Sequence, residues 1–179
     1  LCDQLQKGFL DLILQTDLLR QESVRSLELA SHPMGWIVAS NSIYNREYSG
    51  VADLARERII TYSKNSRPHQ DILSLMQANG VMAPRLNCVN SVSAITRLLR
   101  DGFGIGALSP VLVAEELARG ELTLLAIDQR PANLPVVVSW RVGVEWVEEI
   151  VALCQQVVEC YAQKVGEHYI VLSKPQARA

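Results

Sequence analysis

The chain is poor in the groups that bind metals and perform catalysis. It has three widely separated histidines, His32, His69 and His168, and four cysteines, Cys2, Cys88, Cys154 and Cys160, none in a C-x-x-C pair. That excludes the common zinc spacings, and no metal site is expected. There is no G-x-x-x-x-G-K-[ST] loop and no G-x-S-x-G elbow. Gly102-x-Gly104-x-Gly106 has dinucleotide-like glycines, but it follows a helical stretch and opens a strand, the reverse of that fingerprint. No Ser/His/Asp or Cys/His set is indicated by spacing, so no catalytic residue and no cofactor is assigned. No apolar run reaches the length of a membrane span. Leu1–Lys7 is amphipathic and lacks the basic start of a signal peptide. No Lys/Arg cluster forms a nucleic-acid footprint, and the net charge is −2. Any action on DNA must come through another part of the protein.

What is present is an α/β pattern. Apolar residues make up 49 % of 179 positions and charged residues 20 %, which fits one large or two small packed domains. A phrase occurs twice, 94 positions apart: Leu5-Gln6-Lys7-Gly8-Phe9-Leu10-Asp11-Leu12 and Leu99-Arg100-Asp101-Gly102-Phe103-Gly104-Ile105-Gly106. Each copy reads as a helix end, a glycine corner and an apolar strand. Glycine suits that corner because the residue past a helix end often takes positive φ. Two similar lobes are expected.

Along the chain, Leu1–Lys7 reads as a helix end and Leu10–Leu14 as a buried strand. Residues 15–24 read as a loop. Ser26–Ser31 and Trp36–Ala39 read as strands joined by the His32-Pro33-Met34-Gly35 turn. Val51–Arg56 is a short helix. A regular alternation follows: strand Arg58–Tyr62, helix Arg67–Asn79, strand Pro84–Val89, helix Val92–Asp101, strand Phe103–Leu108, helix Pro110–Arg119 and strand Leu122–Ala126. Glycines 80, 102 and 120 end the three helices. Such alternation implies a parallel sheet with crossover helices. Val136–Arg141 is a strand and Val144–Lys164 a long amphipathic helix. Residues 166–179 read as a tail without assigned structure. Cys88 in a strand-like run and Cys154 on an apolar helix face read as buried free thiols, which suit a reducing cytosol.

In order and spacing, several phrases resemble the effector-binding domain of LysR-type transcriptional regulators. They are Leu5–Leu14, Asp53-Leu54-Ala55 with Ile59-Ile60-Thr61-Tyr62, Asn90-Ser91-Val92-Ser93-Ala94-Ile95, Gly102–Pro110, and Leu117-Ala118-Arg119-Gly120-Glu121-Leu122. The resemblance covers about residues 1–163. It implies a type II periplasmic-binding-protein-like fold: two Rossmann-like lobes joined by crossing strands near Gly35–Ala39 and Val136–Arg141, with a small-molecule cleft between them. The first lobe would comprise 1–40 and 136–165, and the second 41–135. The family's first strand, first helix and second strand have no counterpart here, nor does its DNA-binding winged helix-turn-helix. The sequence is therefore expected to be a fragment, reaching DNA only through that N-terminal domain. The resemblance also implies a cytoplasmic homodimer or homotetramer with no membrane partner. The helix Val92–Asp101 would be part of the subunit contact.

Ligands of parallel sheets sit at the carboxyl ends of strands, where helix N-termini present free N–H groups and partial positive charge. Three places fit. They are Thr16 after the first strand, Ser63 to Ser66 before the helix at Arg67, and Asn90-Ser91-Val92 at the next helix start. Thr16, Ser63, Ser66, Asn90, Ser91 and Val92 are the candidate effector contacts, suited to an anionic or polar metabolite. Ser66, Asn90 and Ser91 also suit plain helix capping. His69 is expected to face solvent, and His32 and His168 to lie on the surface. Trp36 and Trp140 are expected in the core of the crossing strands. The other class considered is a solute receptor of a transporter.

Overall fold

Alternating apolar residues on short strands explain the larger of two sheets. The computed structural model describes residues 1–166 and 168–173. The chain folds into two units: Leu1–His32 with the chain from Leu134 onward, and Pro33–Asn133.

The Pro33–Asn133 unit holds a five-stranded sheet, ordered β5-β4-β6-β3-β7. The strands are β3 (Gly35–Ala39), β4 (Arg58–Thr61), β5 (Arg85–Cys88), β6 (Ile105–Leu108) and β7 (Leu122–Leu124). Successive side chains of a strand point to opposite faces, and two apolar layers result. Trp36, Val38, Ile59, Ile105 and Ala107 face one layer with Val51, Leu54, Ile72 and Met76. Those partners come from a 3-10 turn over Val51–Arg56 and from α2 (Arg67–Ala78). Ile37, Ala39, Ile60 and Leu108 face the other layer with Ile95, Leu99 and Val113. Here the cover is α3 (Val92–Arg100) and the segment leading into α4 (Ala114–Ala118). Gly106 lets α3 pack closely, because a Cβ there would stand 2.5 Å from Leu99 Cδ1.

β5, β4 and β6 are parallel, as the alternation predicts, whereas β3 runs antiparallel between β6 and β7. β7 therefore keeps the direction of β4 to β6. The expected helix Pro110–Arg119 is divided into a 3-10 turn, Pro110–Val113, and α4. Trp36 is core, and its indole Nε1–H donates to the Gln129 carbonyl at 2.9 Å.

The other unit holds an antiparallel sheet ordered β1-β8-β2-β9. Its strands are β1 (Leu12–Gln15), β2 (Val24–His32), β8 (Leu134–Arg141) and β9 (Val171–Leu172). α5 (Val147–Val165) covers one layer through Val147 and Val151 against Leu29 and Val138. α1 (Cys2–Gln6) covers another through Leu5 against Ile13 and Val24. Gly8 and Gly102 both turn their corners at positive φ, +75° and +71°, as the repeated phrase requires.

Several expectations are corrected. The strand expected to be buried at Leu10–Leu14 starts two residues later, at Leu12, and ends one later, at Gln15. It is an edge strand with Leu14 exposed, because it pairs on one side only, with β8. β2 and β3 do not pair with each other; they belong to different sheets. The division of the chain falls at His32/Pro33, so all of β3 lies in the second unit rather than the first. Within the expected tail, Val171–Leu172 forms β9, antiparallel to Ala30 and Ser31; Ile170 is buried beside Ala30 and Ala162, which anchors it. Residues 167 and 174–179 of that tail lie outside the described residues. Cys88 and Cys160 are exposed, and Cys2 and Cys154 half-buried. Strand β5 is at the sheet edge, which leaves Cys88 uncovered.

Candidate functional site

The parallel register brings the predicted serines and asparagine of the second unit together. Thr61 of β4 pairs with Cys88 of β5, and the Val89 amide donates to the Thr61 carbonyl at 2.9 Å. Ser63 and Asn90 each follow the end of their strand by two residues. On the other flank Ile60 pairs with Gly106, and the Thr61 hydroxyl donates to the Ala107 carbonyl at 3.0 Å. Ser109 directly follows the end of β6 at Leu108. Asn90, Ser63 and Ser109 thus stand one or two residues past the ends of β5, β4 and β6, a row of three neighbouring strand ends from which the chain runs on into α3, α2 and the turn at Pro110.

The two helix starts are built differently. Ser91 caps α3: its Oγ accepts from the Ala94 amide at 3.4 Å and lies 3.1 Å from the Ser93 hydroxyl. Ser66 stands at the N-cap of α2 but makes no capping bond. Its Oγ is buried and has no hydrogen-bond partner, and the same is true of Ser109. Buried hydroxyls are normally satisfied, because leaving one unpaired costs about 1–3 kcal/mol. Two such groups near the same strand ends mark a place where polar chemistry is unspent. Neither helix carries an acidic residue in its first turn. The local field of both helix starts therefore favours an anion.

Ser63 and Asn90 are exposed, Ser91 is half-buried, and Val92 is 37 % exposed. Thr16 is half-buried in the bend after β1, in the other unit. Thus five of the six candidates gather at the ends of β4 and β5, and Thr16 stands at the end of its own strand.

Three residues of this region were not singled out by sequence. Ser109 is 1 % exposed. Tyr62 accepts at its hydroxyl from the Ser109 amide at 3.4 Å, and burial pushes its phenol above the ordinary range. His69 faces inward at 8 % exposure, against the expectation of a solvent-facing ring. Its Nδ1 accepts from the Asn65 amide at 3.4 Å. Asn65 holds a left-handed φ of 65°. His32 is likewise half-buried, its Nδ1 3.0 Å from the Tyr169 carbonyl.

Two surface hollows, of about 440 and 590 Å³, lie along the exposed face of α3 around Arg97 and Arg100, and only the second reaches Val92. Among the described residues, no three of His, Cys, Asp and Glu gather as a metal centre, and no helix is long and apolar enough to cross a membrane.

The family profile described as the LysR substrate binding domain matches residues 1–159. The chain belongs to this family. It is an effector-binding regulatory domain of the LysR type, with the two-sheet, periplasmic-binding-protein-like α/β fold expected of it, and not a transporter's solute receptor. Solved structures agree on the fold. The regulatory domain of MetR from N. meningitidis is 16 % identical with a TM-score of 0.74, covering 97 % of this chain and 79 % of that one. The regulatory domain of CcmR from Synechocystis PCC6803, in complex with 2-PG, is 21 % identical with a TM-score of 0.72, covering 87 % and 77 %. The effector binding domain of QuiR, in complex with shikimate, is 19 % identical with a TM-score of 0.64, covering 79 % and 67 %. None of the curated proteins matches the chain.

Proposed function

We propose that this domain senses a small anionic or polar metabolite with the row formed by Ser63, Ser66, Asn90, Ser91 and Val92. Thr16, in the other unit, is kept as a separate candidate polar contact. The observation that carries this reading is the Ser66 hydroxyl, buried at a helix start and bonded to nothing. A ligand oxygen there would satisfy the hydroxyl and complement the helix dipole. The bound metabolites of CcmR and QuiR, 2-PG and shikimate, make the first probes.

The domain controls transcription through an N-terminal winged helix-turn-helix outside this sequence. It works in the cytoplasm as a homodimer or homotetramer, with α3 in one subunit contact. For control to follow, the effector must bind one state of the regulator more tightly than the other.

The test is a thermal-shift panel of small carboxylic and phosphorylated acids, starting with 2-PG and shikimate, followed by calorimetry on any acid that raises Tm. Ser66→Ala is expected to weaken binding by about tenfold or more, the loss of one hydrogen bond to a charged group. Unchanged affinity in Ser66→Ala would remove α2 from the site.

A further inference from the structure

The long helix α5 is apolar on more than the face it buries. Val147, Val151, Cys154, Val158 and Ala162 pack inward. Beside them runs a second stripe: Trp146, Ile150, Leu153, Val157, Cys160 and Lys164. Its first four members are 54, 38, 53 and 58 % exposed, and Cys160 is exposed as well. The steps are 4, 3, 4, 3 and 4, the seven-residue period that lets two helices interlock side chains along a seam. A helix of this span offers a seam about 27 Å long. Val171 and Leu172 of β9, which packs beside α5, add exposed apolar surface of 47 and 44 %.

We propose that this stripe is an interface with the same stripe of a second copy of the chain, the two α5 helices lying antiparallel. The charges choose the partner and its direction. The start of α5 is acidic, with Glu145, Glu148 and Glu149, and its end carries Lys164. With the pair centred between Leu153 and Val157, each Lys164 falls opposite Trp146 of the other copy, flanked by Glu145 and Glu149. A parallel pair would instead set lysine against lysine and glutamate against glutamate. The antiparallel contact is self-complementary, as a two-fold interface must be. The acidic start disfavours an anionic lipid surface as the occupant. A single helical seam is smaller than the roughly 800 Å² per partner of a standard interface, so the pair dissociates on dilution.

The test is sedimentation velocity of the 179-residue chain over a concentration series. The average mass is expected to rise with concentration. Leu153→Glu with Val157→Glu is expected to remove one doubling of mass while circular dichroism stays native. Gln156→Glu, beside the seam, should change the mass profile little. The charge swaps avoid any question of folding, since these positions are exposed. Lys164→Glu and Glu149→Lys should each weaken association, and the two together should restore it. Wild-type mass in the double-glutamate variant overturns the proposal, and so does a swap pair that fails to restore. A longer chain whose mass is indifferent to Leu153→Glu overturns it in favour of cover from its own extra residues. Flotation with phosphatidylglycerol vesicles, lost in the same variant, overturns it in favour of a membrane.

Discussion

The starts of α2 and α3 look alike in sequence and differ in what their serines do. Each begins with serine just past a parallel strand, and each lacks an acidic first turn. At α3 the Ser91 hydroxyl is spent on the helix, and the residues before it are exposed. At α2 the preceding loop is tied to the helix start by the bond from the Asn65 amide to the His69 ring. His69 turns inward, Asn65 takes a left-handed conformation, and the Ser66 hydroxyl is sealed without a partner. One start is a finished cap. The other keeps polar capacity in reserve. Similar capping residues therefore say little about ligand binding until each hydroxyl's hydrogen bonds are traced.

The comparison breaks most sharply at His69. If its ring supports the loop through this bond, His69→Ala removes buried packing and leaves the Asn65 amide without its acceptor. The expected loss is about 2–3 kcal/mol, read as a fall in urea midpoint. A loss within about 0.5 kcal/mol would mean that the loop holds itself and that the two starts differ less than their geometry implies.

The serines themselves sharpen it. Ser91→Ala should cost about 1 kcal/mol, the usual value of a side-chain cap. Ser66→Ala should cost nothing or stabilise slightly in the absence of ligand, because it deletes a buried hydroxyl that has no partner. The order is opposite for binding, where Ser66 matters more. Thermal unfolding of both variants, with and without an acid that binds, separates the two roles. Equal losses for both serines without ligand would show that Ser66 caps after all.

Much of this was legible in the chain. Strand–helix alternation from Arg58 to Leu122 gives four strands of the five-stranded sheet, and the glycine corners at Gly8 and Gly102 have the φ their phrase demands. The parallel register then follows, and with it the neighbourhood of Ser63 and Asn90. The insertion of β3 between β6 and β7 was not legible, because apolar alternation fixes a strand's faces and leaves its neighbours open. Nor was the inward turn of His69. A histidine just after a proline in a first helical turn reads as exposed, and the bond from the Asn65 amide is a tertiary detail that residue type does not show. The contrast between Ser66 and Ser91 is a matter of side-chain bonding, to which residue type is silent. β9 escaped because two residues are too short to show a period.

The smallest effect concerns Tyr62, which joins the α2 side of the row to Ser109. Burial raises its phenol above the ordinary value of 10.0, and the bond from the Ser109 amide opposes this only in part. An acid whose folded value is raised binds its proton more tightly in the folded state. Its contribution is fully present below about pH 10, where folded and unfolded chains are both protonated. It is lost as pH rises from the unfolded value through the folded one, because the unfolded chain ionises first. Stability should therefore fall with an alkaline slope above about pH 10. Tyr48, also raised by burial, contributes to the same slope. Tyr62→Phe should flatten the slope and change stability little at pH 7, since the Ser109 amide loses only a long bond of 3.4 Å. Denaturant midpoints at about pH 7, 9, 10 and 11 for the variant and the parent make the measurement. An unaltered slope would mean that the Tyr62 phenol is hydrated in solution, and that the floor of the row between Ser63 and Ser109 is open to water.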